Sequence, residues 1–158
     1  MKKVTTLLLK IAICMIGVTV LALCIDWLPW QANVLEAMYP EFTHLKYPLL
    51  IGIYMTAIPF FFALYQALKL LSFIDKNKVF SNLSVKSLNY ITYCAITICI
   101  LYVIGFIILH SQNAENPGIL ILGWAITFVS FVIATFAVVL KKLLQNAIHL
   151  KAENDLTV

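Results

Sequence analysis

The sequence predicts an all-α polytopic membrane protein: four transmembrane helices, both termini in the cytoplasm, and an amphipathic helical extension at the C-terminus. Three observations carry this. The 158 residues are 63% hydrophobic with a mean hydropathy of +0.97, far above what a water-soluble globule of this length carries. Four apolar blocks, about 5–25, 47–71, 88–109 and 118–140, each reach the roughly 20 residues needed to cross a bilayer. Charge is also unequally shared between the connections. One side holds Lys2, Lys3, Lys10, Lys69, Lys76, Lys78, Lys86, Lys141, Lys142 and Lys151 with three acids; the other holds Lys46 with four. Lysine excess marks the cytoplasmic face.

The first span carries Lys10 near its start, placed to snorkel back to the inner surface. Its opening "MKK" and the run "VLALC" suggest a cleaved leader. Leu23 stands where a lipid-modified cysteine needs a small residue, however, and Asp26 and Trp27 follow, so the block is expected to be retained. In the external loop 26–46, Trp27, Trp30, Tyr39 and Phe42 belong at the headgroup level. Between Pro29 and Pro40, "NVLEAMY" predicts a short helix lying on the outer leaflet.

Small residues recur at helical spacing in the second span, at Gly52, Thr56, Pro59, Ala63 and Ala67. The fourth span repeats the pattern at Gly123, Thr127, Ser130, Ala134 and Ala137. In lipid, where no hydrophobic force drives helices together, such stripes let backbones approach. They predict the bundle interior, with a homodimer face as the alternative for one of them. Pro59 removes a backbone donor and predicts a kink that nearby hydroxyls repair. Thr19, Tyr54, Thr56, Thr97, Thr127 and Ser130 are expected to make interhelical hydrogen bonds.

Between the second and third spans lies the cytoplasmic elbow 72–87, "SFIDKNKVFSNLSVKS", the one charged stretch in the middle of the chain. "DKNK" supplies a polar turn. Ser81 is placed to cap the third helix, and Phe80 and Val85 take the positions of a hydrophobic staple around it. A helix from Asn82 to Leu109 would be about 42 Å long at 1.5 Å per residue, more than the roughly 30 Å of hydrocarbon. Its first two turns are therefore expected to project inward. The short connection 110–117, ended by Pro117-Gly118, predicts an antiparallel hairpin of the last two spans. In the tail 141–158, Leu140, Leu143, Leu144, Ala147 and Ile148 follow the i, i+3, i+4, i+7, i+8 pattern, so the fourth helix is expected to run on to about Ala152. Elbow and tail emerge on the same side and can pack on each other.

Reactive chemistry is sparse. No phosphate-binding glycine loop, HExxH or serine-histidine spacing occurs. Cys14, Cys24, Cys94 and Cys99 fall inside spans without metal-ligand spacing and read as small apolar packing residues. The three histidines, His44, His110 and His149, do not share a span, which disfavours a bis-histidine haem. No cofactor is expected. Asp26, His110 and Glu115 can meet at the outer surface, more in the manner of an interfacial anchor than of an acid-base site. The spans hold no ionisable group at mid-depth, where proton- and ion-coupled transporters keep theirs. The net charge of +4 is directed at anionic lipid or an acidic protein rather than at nucleic acid, and arginine, the usual phosphate fork, is absent.

"LLSFIDKNKVFSNLSVKSLNYI", with a Phe-Ser step leading into a span, and the closing "LKAENDLTV" resemble the YoaS-like family of small four-helix bacterial membrane proteins, a domain of unknown function. The specific residues are Phe80, Ser81, Glu153, Asn154, Asp155, Leu156 and Thr157. The resemblance implies a multi-pass protein of the bacterial cytoplasmic membrane, and members are often encoded beside a very small helix-turn-helix regulator. Together with the charge pattern it points to a non-enzymatic, regulatory protein. Such a protein would bind a cytoplasmic partner, such as that DNA-binding regulator, through Lys76, Lys78, Phe80 and Ser81 of the elbow and Glu153, Asn154 and Asp155 of the tail. Lipid anchoring by the lysines and helix capping by Ser81 explain the same residues without a partner. A homo-oligomeric transporter or channel subunit is the alternative.

Overall fold

The computed structural model describes residues 2–113 and 117–157. Among them the chain is helical almost throughout, with no strand. Helix α1 spans Lys2–Ala22, a π-helical segment Leu23–Trp27 follows, and α2 spans Leu28–Met38. A 3₁₀ segment, Pro40–Leu45, leads into α3 (Lys46–Asp75); α4 is Asn82–Ser111 and α5 is Pro117–Thr157. Four helical runs are long and apolar enough to cross a membrane, matching the four blocks of the sequence.

The stretch expected as an external loop with a separate interfacial helix is built differently, because α1 runs through the π segment directly into α2. Proline placement explains the break in register. In the π segment the amide of Leu28 donates to Leu23 O, five residues back. The next donor in that register would be residue 29, but Pro29 has no N–H, which strips Cys24 O of its helical partner. The phenol of Tyr54, on α3, donates to that carbonyl at 2.7 Å. A backbone defect in one helix is thereby answered by a side chain of its neighbour. The Tyr102 phenol of α4 faces Thr56 beside the same site.

Packing is serial. Helix α4 is sandwiched between α3 and α5, whereas α1 leans chiefly on α3. Accordingly α4 owns most of the core: Ser84, Val85, Ser87, Leu88, Thr92, Cys94, Ala95, Ile98 and Leu109 are all buried. The first two turns of α4 are part of this core, with Ser84, Val85, Ser87 and Leu88 buried. Helix α1 has Thr6 as its buried residue among those described, while Ile13, Gly17 and Val20 are half-buried, Gly17 lying beside Leu64 and Phe61 of α3.

The small-residue stripe of α5 faces α4. Gly123, Ser130 and Ala137 are buried at seven-residue intervals, and Thr127 and Ala134 are half-buried. A Cβ at Gly123 would stand 2.4 Å from Phe106 Cζ of α4, so the ring needs the missing side chain. Phe106 in turn stacks on Trp124 at 6.0 Å, and the Cys99 thiol donates to Thr127 O at 3.6 Å. The α3 stripe is less uniform. Thr56 is buried and Ala63 half-buried, but at Gly52 nothing lies within 4 Å of where a side chain would begin. Gly52 is therefore no contact point.

The hydroxyls also depart from expectation. Thr19, Thr97 and Thr127 each donate to the carbonyl four residues back in their own helix, at 2.8 Å, and Thr56 donates to Ile53 O at 2.6 Å. In apolar surroundings the nearest free carbonyl lone pair is one turn away, reached without bringing helices together. Of the polar residues expected to bridge helices, Tyr54 reaches Cys24 O and Thr56 meets the Tyr102 phenol of α4. Pro59 lies inside α3, which continues through it as one helix.

Candidate functional site

The end of the bundle that carries most lysines is assembled from the close of α3, the elbow, the start of α4 and the extension of α5. Helix α3 stops at Asp75 because Asn77 adopts the left-handed conformation, φ 57°, which asparagine tolerates better than most residues. The amide of Asn77 then donates to Ile74 O at 3.2 Å and that of Lys78 to Phe73 O at 2.7 Å. This paired pattern is a Schellman closure. It turns the chain sharply and leaves Lys76 and Lys78 exposed, one on each side of the turn.

Ser81 holds the N-cap position, with extended backbone angles, but makes no side-chain capping bond. Its hydroxyl donates backward to Lys78 O at 2.6 Å. The capping role expected of the side chain is a correction, and its physical reason is the turn: Lys78 O faces Ser81 and Ser84, whose hydroxyl also reaches it at 3.4 Å. Ser81 therefore stitches the turn to the helix start. Of the staple pair, Val85 is buried and Phe80 is 51% exposed, so the ring lies largely on the outside of the elbow.

The feature that sequence reasoning missed is an ion pair. Lys10 Nζ of α1 donates to Asp75 Oδ2 at 2.7 Å, bridging 65 positions of chain. The Lys10 side chain thus reaches toward the elbow, where it is held by the last residue of α3. Lys3 adds positive field and Thr6 a nearby hydroxyl at the same carboxylate, while its second oxygen, Oδ1, is buried without a hydrogen-bond partner. The signal was legible in outline, since Asp75 is the one acid of the elbow and Lys10 the one charge inside the first span. The pairing could not be read, because it depends on α1 lying against α3.

The tail stands apart from the elbow. Extrapolating the antiparallel register set by Phe106 beside Gly123 and Cys99 beside Thr127, the start of α4 lies level with residues 144 to 147. Lys141, Leu144, Ala147 and Ile148 are half-buried, whereas residues 149–156 are exposed. Helix α5 therefore runs past the end of its neighbour. Glu153 pairs with His149 one turn back at 3.2 Å, and Asn154 and Asp155 are exposed. The structure thus puts Lys76, Lys78, Phe80 and Ser81 at the same end of the molecule as Glu153, Asn154 and Asp155 without joining them into one patch.

At the opposite end, Lys46 donates to Glu36 Oε2 at 2.6 Å and Asn33 Oδ1 at 2.7 Å, pinning α2 to the start of α3. Asp26 and His110 are exposed, and Glu115, the third member of the expected outer cluster, lies outside the described residues. Among the described residues no group of three histidine, cysteine or carboxylate side chains can hold a metal.

The uncharacterized membrane protein YoaS of Bacillus subtilis (strain 168) is 51% identical over 160 residues, spanning 100% of both chains. No solved structure matches the chain. Residues 30–158 match the family described as Protein of unknown function (DUF2975), and the chain, a multi-pass bacterial membrane protein, belongs to that family.

Proposed function

We propose that the protein is a non-enzymatic regulatory membrane protein that holds a soluble partner at the cytoplasmic face, the partner being a small DNA-binding regulator. The observation that supports this reading most directly is the exposed elbow. Lys76, Lys78 and the Phe80 ring sit on a turn fixed by two backbone hydrogen bonds. A rigid turn presenting two cations and an aromatic ring loses little entropy when a partner docks. The tail adds a helical arm carrying Glu153, Asn154 and Asp155 beyond the end of α4. The two pieces differ in charge and stand apart, so a partner that touches both needs an acidic and a basic face.

The test is crosslinking in native membranes followed by affinity purification, comparing wild type with Lys76→Glu/Lys78→Glu. The expected result is a small soluble protein captured by the wild type and lost from the variant, with membrane insertion unchanged. Equal capture by both sinks the proposal, since the lysines would then serve the lipid surface alone. The homo-oligomeric transporter reading draws less support. The stripe it would use, Gly123 to Ala137, is turned toward α4.

A further inference from the structure

We propose that α5 pairs in parallel with α5 of a second copy of the chain, through a seam that crosses the membrane and continues into the cytoplasm. This goes beyond the partner-binding reading and does not depend on it.

The argument starts from length. Helix α5 has 41 residues without an internal break, so it extends about 62 Å at 1.5 Å per residue. The hydrocarbon core accounts for about 30 Å of that. Register with α4 ends near residue 147, so the last ten or so residues, about 15 Å of helix, run beyond the start of α4, and residues 149–156 are exposed.

Next comes the pattern on that projecting stretch. Lys141, Leu144 and Ile148 lie on the side of α4 and are half-buried. A second row, Leu140, Leu143, Ala147 and Leu150, recurs at spacings of 3, 4 and 3, the heptad spacing of a two-stranded coil, and in it the small Ala147 is half-buried. Leu140, Leu143 and Leu150 are 50%, 59% and 64% exposed. At 100° per residue this row lies roughly 120° around the helix from the α4-facing row, so a partner can reach it without displacing α4. No charged residue falls on it; Lys142, Lys151 and Glu153 lie to either side. Followed upward, the same spacing passes through Phe136, Ile133 and Val129, which are 65%, 45% and 54% exposed.

Geometry then selects the occupant. Lipid can cover the seam from Val129 to Leu140 but not Leu150, about 15 Å beyond Leu140 on an unbroken helix. A soluble partner can cover Leu143 and Leu150 but not the part within the bilayer. One register running through both media is matched by a helix that itself passes from bilayer to cytoplasm in the same direction, which a second α5 does. Heptad spacing winds two such helices so that the seam stays closed along their length. In the parallel arrangement Asn146 of one copy faces the Lys151 position of the other, so no like charges meet across the flanks.

The test uses a cysteine-free background, with Cys14, Cys24, Cys94 and Cys99 replaced by serine or alanine. Single cysteines are then placed along α5 in native membranes and oxidised. Leu143→Cys, Ala147→Cys and Leu150→Cys are expected to give disulfide-linked dimers, while Lys142→Cys, Gln145→Cys and Ala152→Cys stay monomeric. In mild detergent the wild-type particle is expected at the mass of a dimer, and Leu143→Glu/Leu150→Glu at that of a monomer. Circular dichroism of the variant reports whether the helices persist. Crosslinking without the 3–4 periodicity, a monomeric wild type, or linkage of the seam cysteines to a different protein would each overturn the proposal.

Discussion

The contact between Gly123 and Phe106 offers the sharpest test of the fold, because its sign depends on two opposed effects. Glycine inside a helix is unfavourable by about 0.8–1.0 kcal/mol relative to alanine, so Gly123→Ala on a free helix face would stabilise. Here the new Cβ would meet Phe106 Cζ at 2.4 Å and Cε1 at 2.6 Å, against the roughly 3.5–4.0 Å of an ordinary carbon contact. An overlap of more than about 1 Å forces the ring off its position, and overpacking of this kind costs about 1–3 kcal/mol. Moving the ring also disturbs its stacking on Trp124. The net expectation is destabilisation by about 1 kcal/mol, with the overlap outweighing the propensity gain. Trp124 reports on the site directly once Trp27 and Trp30 are replaced by phenylalanine, and reversible unfolding can be followed by its fluorescence during titration with a denaturing detergent. The same substitution in a Phe106→Leu background has room for the methyl group and is expected to be neutral or stabilising. That corresponds to a coupling of about 1–2 kcal/mol in the double-mutant cycle. Strictly additive effects would refute the argument that Phe106 is what requires glycine at 123.

Three further outcomes are expected. Asp75→Asn or Lys10→Met releases the start of α1 from α3 and raises hydrogen exchange in α1, and the charge swap Lys10→Asp/Asp75→Lys restores protection; an unrestored swap would show that the pair does not hold α1. Tyr54→Phe removes the donor to Cys24 O and costs about 0.6 kcal/mol, the average for hydrogen bonds between membrane helices, with faster exchange confined to the π segment and its flanks. Asn77→Val forces a β-branched side chain into the left-handed conformation, at about 1–2 kcal/mol, whereas Asn77→Gly leaves the turn intact; unfolding midpoints distinguish them, and an equal effect of both would count against the Schellman closure as the cause of the turn.

Much of this molecule was legible in the sequence for one reason: lipid is a simple solvent. Inside it every backbone polar group must be satisfied within its own helix, so a run of about 20 apolar residues dictates a spanning helix. The lysine asymmetry predicts the orientation of those helices, again without tertiary knowledge. The amphipathic continuation of α5 was equally readable from periodicity, as were the small residues at Gly123, Ser130 and Ala137, which need no partner to be recognised as a close-approach stripe.

What the sequence left open are the places where one helix answers another. Cys24 O is stripped of its helical donor by Pro29, and only the fold brings Tyr54 to it. Lys10 and Asp75 lie 65 positions apart; their attraction is plain in the charges, but contact requires α1 to lie along α3. Gly52 and Gly123 look alike in sequence, yet one faces open space and the other a phenylalanine ring. Of the two apolar rows on the α5 extension, the row of Leu144 and Ile148 is half-covered and that of Leu143 and Leu150 is not. That choice belongs to the tertiary structure alone, because composition sets which faces are apolar, while only the rotation of each helix about its axis sets which of them finds a neighbour.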